Sequence, residues 1–199
     1  MAGDAELGRV TFRTATAEDS RRIAELFSIS SDGVVDYVWM TLASKYPGLE
    51  PIEIGAGRHA SEEGNLSHTN CIVAEREGTV IGQLCTYPVK ASVENPDEPV
   101  DPVLEPYGRL EIPGTLYISS LALFDEFRGM GLGTEMISIA RDQARERDLE
   151  ALSLLVFEQN TGALKLYERE GFHEVDRAAV VPHPLINHTG DVILMTAPV

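Results

Sequence analysis

Apolar residues recur with two periods along the first half of the chain, and the periods separate strands from helices. Three segments alternate apolar and polar residues as half-buried strands do, at 9–14, 70–75 and 79–89. The tripeptide Arg76-Glu77-Gly78 predicts a hairpin turn between the last two. Recurrence every three or four residues predicts two helices. The first buries Ile23, Leu26 and Phe27. The second covers 34–44.

Longer apolar runs in the second half predict buried strands around a crossover. A strand over 116–123, a helix over 133–147 and a strand over 152–157 follow one another. This order predicts two parallel strands joined by a right-handed crossover. The last predicted elements are one short helix and two strands, at 160–170, 172–179 and 191–196.

Two segments interrupt this pattern. Residues 48–68 are rich in glycine and polar residues, which predicts a loop with one short helix at most. Residues 94–113 carry five prolines, too many for a central strand, and both a disordered excursion and an ordered flap over a substrate pocket stay open. We therefore expect a single domain over 1–199, with a core at about 9–197 and insertions at these two segments.

Charge narrows the classes of partner. The chain has 16 basic and 32 acidic side chains, a formal net charge of −16. Such a surface argues against nucleic acid and anionic membranes as partners. No run of about 18 apolar residues is present, and the first residues lack the features of a signal peptide. We therefore expect a cytoplasmic protein.

The two cysteines fall in the two strands of the predicted hairpin. In a reducing compartment we expect Cys71 and Cys85 to be free thiols that fill the core. The sequence has no Cys-x-x-Cys pair and no cluster of Cys and His at metal-ligand spacing. It therefore predicts no metal site.

The candidate chemistry begins at the run Arg128-Gly129-Met130-Gly131-Leu132-Gly133, between a predicted strand and a predicted helix. Glycines at alternate positions let the backbone turn sharply and present several N–H groups to a ligand. At a helix start, such groups favour a phosphate. A dinucleotide fingerprint would need glycine at Met136, and a P-loop would need lysine at Thr134. The run therefore predicts a pyrophosphate cradle of another class, or a turn that binds nothing.

Two motifs together resemble those of a known family. The glycine run follows Leu121-Ala122-Leu123 and is similar to [QR]-x-x-G-x-[GA], a motif of the GNAT superfamily of acyl-CoA-dependent N-acyltransferases. The segment from Asn160 to Phe172 looks like the family's N-x-x-A-x-x-x-Y-x-x-x-G-F. The resemblance is strong over 115–175 and weaker from residue 9 onward. It implies an α/β fold: a mixed sheet of about six to seven strands, flanked by four helices, whose central strands splay to hold CoA.

The resemblance also implies a reaction. An acetyl group would pass from acetyl-CoA to the primary amine of a small molecule, amino acid or peptide, by direct attack in a ternary complex and without a metal. The backbone of Leu121, Ala122 and Leu123 would contact the pantetheine arm. Pyrophosphate binding would fall to the backbone of six residues: Gly129, Met130, Gly131, Leu132, Gly133 and Thr134. Arg128 either adds a charged contact or caps the turn.

Three residues of the second motif share one helical face, because they recur at steps of three and four. By resemblance, Asn160 would bond amides of the pantetheine arm, and Ala163 would allow its close approach. Tyr167 is the candidate general acid, since a phenol keeps its proton at neutral pH and can give it to a departing thiolate. The alternative for Tyr167 is packing against the strand.

The general base is where the chain departs from the family's pattern. Members that carry a glutamate on the fourth strand would place it at Tyr117, which is not a carboxylate. Tyr117 is either structural or holds a water chain that deprotonates the amine. Glu111, Asp36 and Ser119 are the alternatives. Candidate contacts of the acceptor are Tyr37, Trp39, Tyr87 and Phe124.

The missing glutamate keeps other functions open. One is an acyl-CoA-binding or regulatory module without catalysis, and another is an acetyltransferase that acts on protein lysines or N-termini. The expected partners are acetyl-CoA and an amine substrate, and a homodimer also stays open.

Overall fold

The computed structural model describes residues 9–91 and 100–199. At its centre is a seven-stranded mixed sheet with the order β1-β2-β3-β4-β5-β7-β6. Its strands are β1 Val10–Thr14, β2 Cys71–Arg76, β3 Thr79–Pro88, β4 Leu116–Leu123, β5 Ala151–Phe157, β6 His173–Ala179 and β7 Asp191–Pro198. Among these strands, β4 and β5 pair in parallel and the other neighbours pair antiparallel. The predicted α/β fold and the parallel crossover pair are confirmed.

The described residues form six α-helices around this sheet: α1 Ser20–Ser30, α2 Val34–Leu42, α3 Pro51–His59, α4 Glu105–Arg109, α5 Leu132–Arg145 and α6 Thr161–Arg169. On one face, α5 buries Met136 and Ile137 in a cluster that also contains Ile118 of β4. On the other face, α1, α2 and α3 pack together in a cluster that includes Ile23 and Trp39. None of the described helices is long and apolar enough to cross a membrane.

The helices α3 and α4 lie in the two segments predicted as insertions. The start of α3 has a capping box, in which the Glu50 amide donates to the Glu53 carboxylate at 2.8 Å, and Pro51 is at its first turn. In the second segment, α4 is followed by the buried Leu110, and Tyr107 packs edge-on against Phe157 of β5. The described part of this segment is therefore ordered against the sheet. Residues 92–99, where the predicted insertion begins, lie outside the described residues.

The expectation of free thiols is wrong. Cys71 and Cys85 form a disulfide. They are directly opposite each other in the register of β2 and β3, with their Cα atoms 4.1 Å apart. The hairpin that the sequence predicted therefore brings the two sulfur atoms together.

Candidate active site

A gap between two central strands is the main feature of the sheet. The pairing of β4 with β5 is confined to Leu116 with Leu152, Tyr117 with Ser153, and Ile118 with Leu154. Beyond that point β4 runs on to Leu123 and β5 to Phe157 without pairing to each other. Backbone groups on the facing edges of both strands are thus left for another partner. This is the splay that the family resemblance implied.

An irregularity in β4 coincides with the start of the gap. Cys85 of β3 is opposite Ser120, whereas its neighbour Thr86 is opposite Ile118, so Ser119 has no partner in this register. An extra residue of this kind bends a strand and increases its local twist. The Ser119 hydroxyl donates to the Cys85 carbonyl oxygen at 3.1 Å, which ties the bulge to β3. The bulge therefore accounts for the departure of β4 from β5.

The glycine run forms a turn at the mouth of this gap. Gly129 and Gly131 have φ values of 76° and 83°, the left-handed region that favours glycine. A Cβ placed on either would meet nothing within 4 Å. A Cβ on Gly133 would be 3.9 Å from Leu121 of β4 and 3.0 Å from Leu166 of α6. The first turn of α5 therefore lies where β4 and α6 meet.

The backbone amides of this turn have no acceptor in the part of the chain that the structure describes. Within the described residues, the N–H groups of 129–134 donate to no backbone or side-chain atom. The first backbone hydrogen bond of α5 runs from the Glu135 amide to the Gly131 carbonyl oxygen, at 3.2 Å. These groups and the helix dipole favour an anion. The space beside Gly129 and Gly131 and the free donors fit a pyrophosphate.

Two arginines bring positive charge to the turn. Arg128 donates through Nε to the Leu123 carbonyl oxygen at 3.2 Å and pairs with Asp125 at 3.0 Å, and these contacts hold the turn. Its side chain is 55% exposed. Arg169 was not predicted from the sequence. Its guanidinium donates to the hydroxyl of Thr134 at 3.1 Å.

The position of Arg169 follows from the packing of α6 beside α5. Thr134 in turn donates to Glu170 at 2.8 Å, and Arg141 of α5 pairs with the same carboxylate at 3.7 Å. This network fixes the end of α6 against the first turn of α5. In the sequence, Arg169 is two residues after Tyr167, at the end of the predicted helix. An arginine there indicates by itself only a favourable charge at a helix C-terminus.

The second motif lies on α6 as predicted. Asn160 caps this helix, because its side-chain oxygen accepts from the Ala163 amide at 3.2 Å. Tyr167 is 8% exposed and packs edge-on against Phe172, with ring centroids 5.7 Å apart. Burial raises the pKa of Tyr167 to about 12. The phenol therefore keeps its proton at neutral pH, as a general acid must.

Tyr117 lies next to Tyr87, with ring centroids 5.3 Å apart. Burial raises the pKa of Tyr117, and the charges of Tyr87, Glu111 and Tyr167 raise it further when these groups are ionised. The Tyr117 hydroxyl is therefore harder to ionise than an ordinary phenol. Its own hydroxyl stays protonated, so it does not act as a phenolate base.

The three alternative bases have different surroundings. The hydroxyl of Ser119 is used in the bulge. Asp36 accepts from the Ser28 hydroxyl at 2.7 Å. Glu111 is exposed and lines a cavity of about 630 Å³ together with Tyr87. Of the three, Glu111 is the one that lines this cavity with Tyr87, whose ring lies next to that of Tyr117.

The candidate contacts of the acceptor lie in different surroundings. Trp39 is 1% exposed and belongs to the core. The Tyr37 hydroxyl donates to Asp101 at 2.8 Å. The Phe124 ring lies under the guanidinium of Arg22, at 4.4 Å. No group of three or more potential metal ligands occurs in the part of the chain that the structure describes.

The chain is similar to acetyltransferases in sequence and in fold. The model of a family described as "Acetyltransferase (GNAT) family" matches residues 38–172. Mycothiol acetyltransferase of Thermobispora bispora is 34% identical over 100 residues, which cover 50% of this chain and 28% of that protein. The chain spans less than two fifths of the length of the curated relatives that it matches (38%, 28% and 22%).

Two solved structures share the fold. One, reported as the crystal structure of acetyltransferase, has a TM-score of 0.66 at 21% identity and covers 95% of this chain and 99% of its own. The other is the paia N-acetyltransferase of Thermoplasma acidophilum in complex with coenzyme A. Its TM-score is 0.56 at 16% identity, over 96% of this chain and 99% of its own.

Proposed function

The chain belongs to the acetyltransferase (GNAT) family, and on that premise we propose that it transfers the acetyl group of acetyl-CoA to a primary amine. One observation carries this proposal: the free amides of 129–134 lie beside the gap between β4 and β5. A long ligand with a pyrophosphate at one end and amide groups along its arm fits both features. Acetyl-CoA, when bound, supplies a thioester whose carbonyl carbon an amine can attack.

The proposed donor site rests on backbone groups. The amides at the start of α5 bind the pyrophosphate, and the guanidinium groups of Arg128 and Arg169 offset its charge. The unpaired edge of β4 beyond Ile118, which includes Leu121, Ala122 and Leu123, bonds the amides of the pantetheine arm. On α6, the Nδ2 group of Asn160 is left to donate to the same arm, because its oxygen caps the helix.

The proposed chemistry uses two kinds of group. A backbone N–H near the β4 bulge at Ser119 stabilises the negative charge that develops on the thioester oxygen, a contact whose loss typically costs about a hundredfold in rate. Tyr167 gives its proton to the departing sulfur. Among the described residues no side-chain hydrogen bond involves the Tyr167 hydroxyl, and this oxygen is not one of the fully buried polar atoms without a partner, so it is available for this contact.

The acceptor in this proposal is a small molecule that carries a primary amine. The cavity of about 630 Å³ beside Tyr87 supports this class, since pockets for small ligands typically have volumes of roughly 300–1,000 Å³. An amine on a peptide or protein is the alternative acceptor.

The test combines binding with turnover. Calorimetry with CoA measures the donor site, and release of free thiol from acetyl-CoA measures transfer to a panel of amines. We expect CoA to bind and thiol release to depend on the amine. Absence of CoA binding would overturn the proposal.

A second candidate is a module that binds acyl-CoA without catalysis. It is favoured by one observation, the presence of Tyr117 where related enzymes carry a glutamate. The same experiment separates the two: binding of CoA without thiol release for any amine supports the module and contradicts acetyl transfer.

A further inference from the structure

A polar cavity lies at the end of β3, on the face of the sheet that carries α1 to α3. It is lined by side chains that include Glu62, Asn65, Asn70, Tyr87, Lys90 and Glu111. Its lining therefore has two carboxylates, one ammonium group, two amides and one phenol. None of these residues belongs to the glycine run or to the motif on α6.

One wall of the cavity is held in place by hydrogen bonds. His59 donates through Nδ1 to the Leu66 carbonyl oxygen at 2.6 Å. Asn70 donates to the carbonyl oxygens of Gly64 and Asn65, at 3.0 and 3.2 Å. These bonds fix the segment between α3 and β2, so the cavity is formed before a ligand binds.

The cavity reaches the start of the gap between β4 and β5. Tyr87 is in the cavity wall, and its ring contacts that of Tyr117. Tyr117 is opposite Ser153, one position before β4 and β5 stop pairing. Glu111 and Tyr87 thus line the cavity, and Tyr117 lies between Tyr87 and the place where the proposed thioester would lie.

The lining favours a polar ligand with an ammonium group, because its two carboxylates outnumber the single ammonium group of Lys90. An ammonium group gains a charge-assisted hydrogen bond from Glu111 and a favourable contact with the faces of the nearby tyrosine rings. The amides of Asn65 and Asn70 offer further hydrogen bonds. A long apolar amine would leave these polar groups without partners, which is costly.

We propose that this cavity is the acceptor site, that it takes a small, polar primary amine, and that Glu111 holds the ammonium group and removes its proton. This inference rests on the proposed acetyl transfer and names the acceptor side of the same reaction. Glu111 thereby takes the role of the glutamate that β4 lacks.

In the proposed reaction every proton that leaves the amine is accounted for. One proton of the ammonium group passes to the Glu111 carboxylate, directly or through the Tyr117 hydroxyl, and leaves the free amine. The nitrogen then attacks the carbonyl carbon, so that a C–N bond forms and the C–S bond breaks. Sulfur gains a proton from Tyr167, and the second proton that nitrogen loses restores the phenol. The products are the amide and the thiol of CoA, and Glu111 returns its proton to water.

The test compares Glu111→Gln with Glu105→Gln, a matched change of an exposed glutamate whose closest cation, Arg109, is 3.9 Å away. The probes are spermidine, glucosamine, lysine and phenethylamine. For the best of these amines, we expect Glu111→Gln to lose about a hundredfold in kcat/KM. Its Kd for acetyl-CoA and its melting temperature should not change. Glu105→Gln should behave as the wild type in all three measurements.

The outcomes separate this inference from the function on which it rests. If the wild type acetylates an amine and Glu111→Gln retains that rate, the assignment of Glu111 is wrong while acetyl transfer stands. If phenethylamine is the best acceptor, the assignment of the polar cavity is wrong. If the wild type releases thiol with no amine in the panel or in a wider set of peptides, acetyl transfer itself fails.

Discussion

The half-buried Tyr107 and the buried Tyr167 differ in what their hydroxyl groups can do. The Tyr107 hydroxyl on α4 is buried without a hydrogen-bond partner, and burial raises its pKa to about 12, as it does for Tyr167. Only Tyr167 is on the helix beside the gap. We therefore expect Tyr167→Phe to lower kcat by about a hundredfold with little change in the Kd for acetyl-CoA.

Tyr107→Phe is the matched control for this prediction. It removes an unsatisfied hydroxyl, so kcat should be unchanged and the melting temperature equal or higher. Steady-state kinetics and thermal unfolding check both variants. Equal turnover in Tyr167→Phe and the wild type would show that this hydroxyl is not the acid.

His59 makes stability depend on pH. It is 1% exposed and stacks on Phe27 at 4.7 Å, and burial lowers its pKa from the usual 6.5 to about 4. Below pH 6.5 the unfolded chain therefore binds a proton at His59, whereas the folded chain binds it only below about pH 4. The free energy of unfolding should fall through this window, by about 3 kcal/mol from this residue.

Chemical unfolding across that pH window checks the prediction. His59→Asn should lose the corresponding part of the pH slope, whereas the same change at the exposed His173 should retain it. An identical slope in His59→Asn and the wild type would contradict the account.

Single residues could be predicted from the sequence where their role is local. The glycines of the cradle and the positions of Asn160 and Tyr167 on one short helix follow from short motifs. The placement of Arg169 beside Thr134 and of Glu111 in one cavity with Tyr87 depends on how distant segments pack, which no local pattern encodes. The cysteine expectation failed because it was argued from the compartment, although the hairpin register already placed the pair together.

Among the elements, the start of α5 carries the donor site. Gly131→Glu would place a carboxylate among the free amides, so CoA affinity should fall below detection in calorimetry while the protein stays folded. Gly48→Glu is the control, since Gly48 also has a positive φ and open space but lies in an exposed turn. It should bind CoA as the wild type does. Undiminished binding by Gly131→Glu would refute the cradle.

Elements were predictable where their hydrophobic period was clear. The crossover of β4, α5 and β5 has long periodic apolar runs, and it appears as predicted. The helix α3 is the one short helix that the sequence allowed in 48–68, but its glycine-rich and polar composition did not give its bounds. Gly55 is required there, since a Cβ would overlap the ring of Trp39. Its capping signal at Glu50 and Glu53 was present in the sequence.

At the scale of the whole molecule, the two faces of the sheet divide the proposed reaction. The donor cradle is at the start of α5, which packs on one face, and the polar cavity is beside α3 on the other. The gap between β4 and β5 connects them. The sequence predicted that these strands are parallel, but the end of their pairing depends on the bulge at Ser119, which is a property of three strands together.

In the proposed function, the free amides of 129–134 and the edge of β4 beyond Ile118 bind acetyl-CoA. Residue-resolved amide NMR of the full chain, with and without acetyl-CoA, tests it most directly. Saturating acetyl-CoA should shift these amide signals and slow their hydrogen exchange, while the amides of β1 and β2 stay unchanged. Binding of acetyl-CoA that leaves the signals and exchange rates of 129–134 unaltered would contradict it.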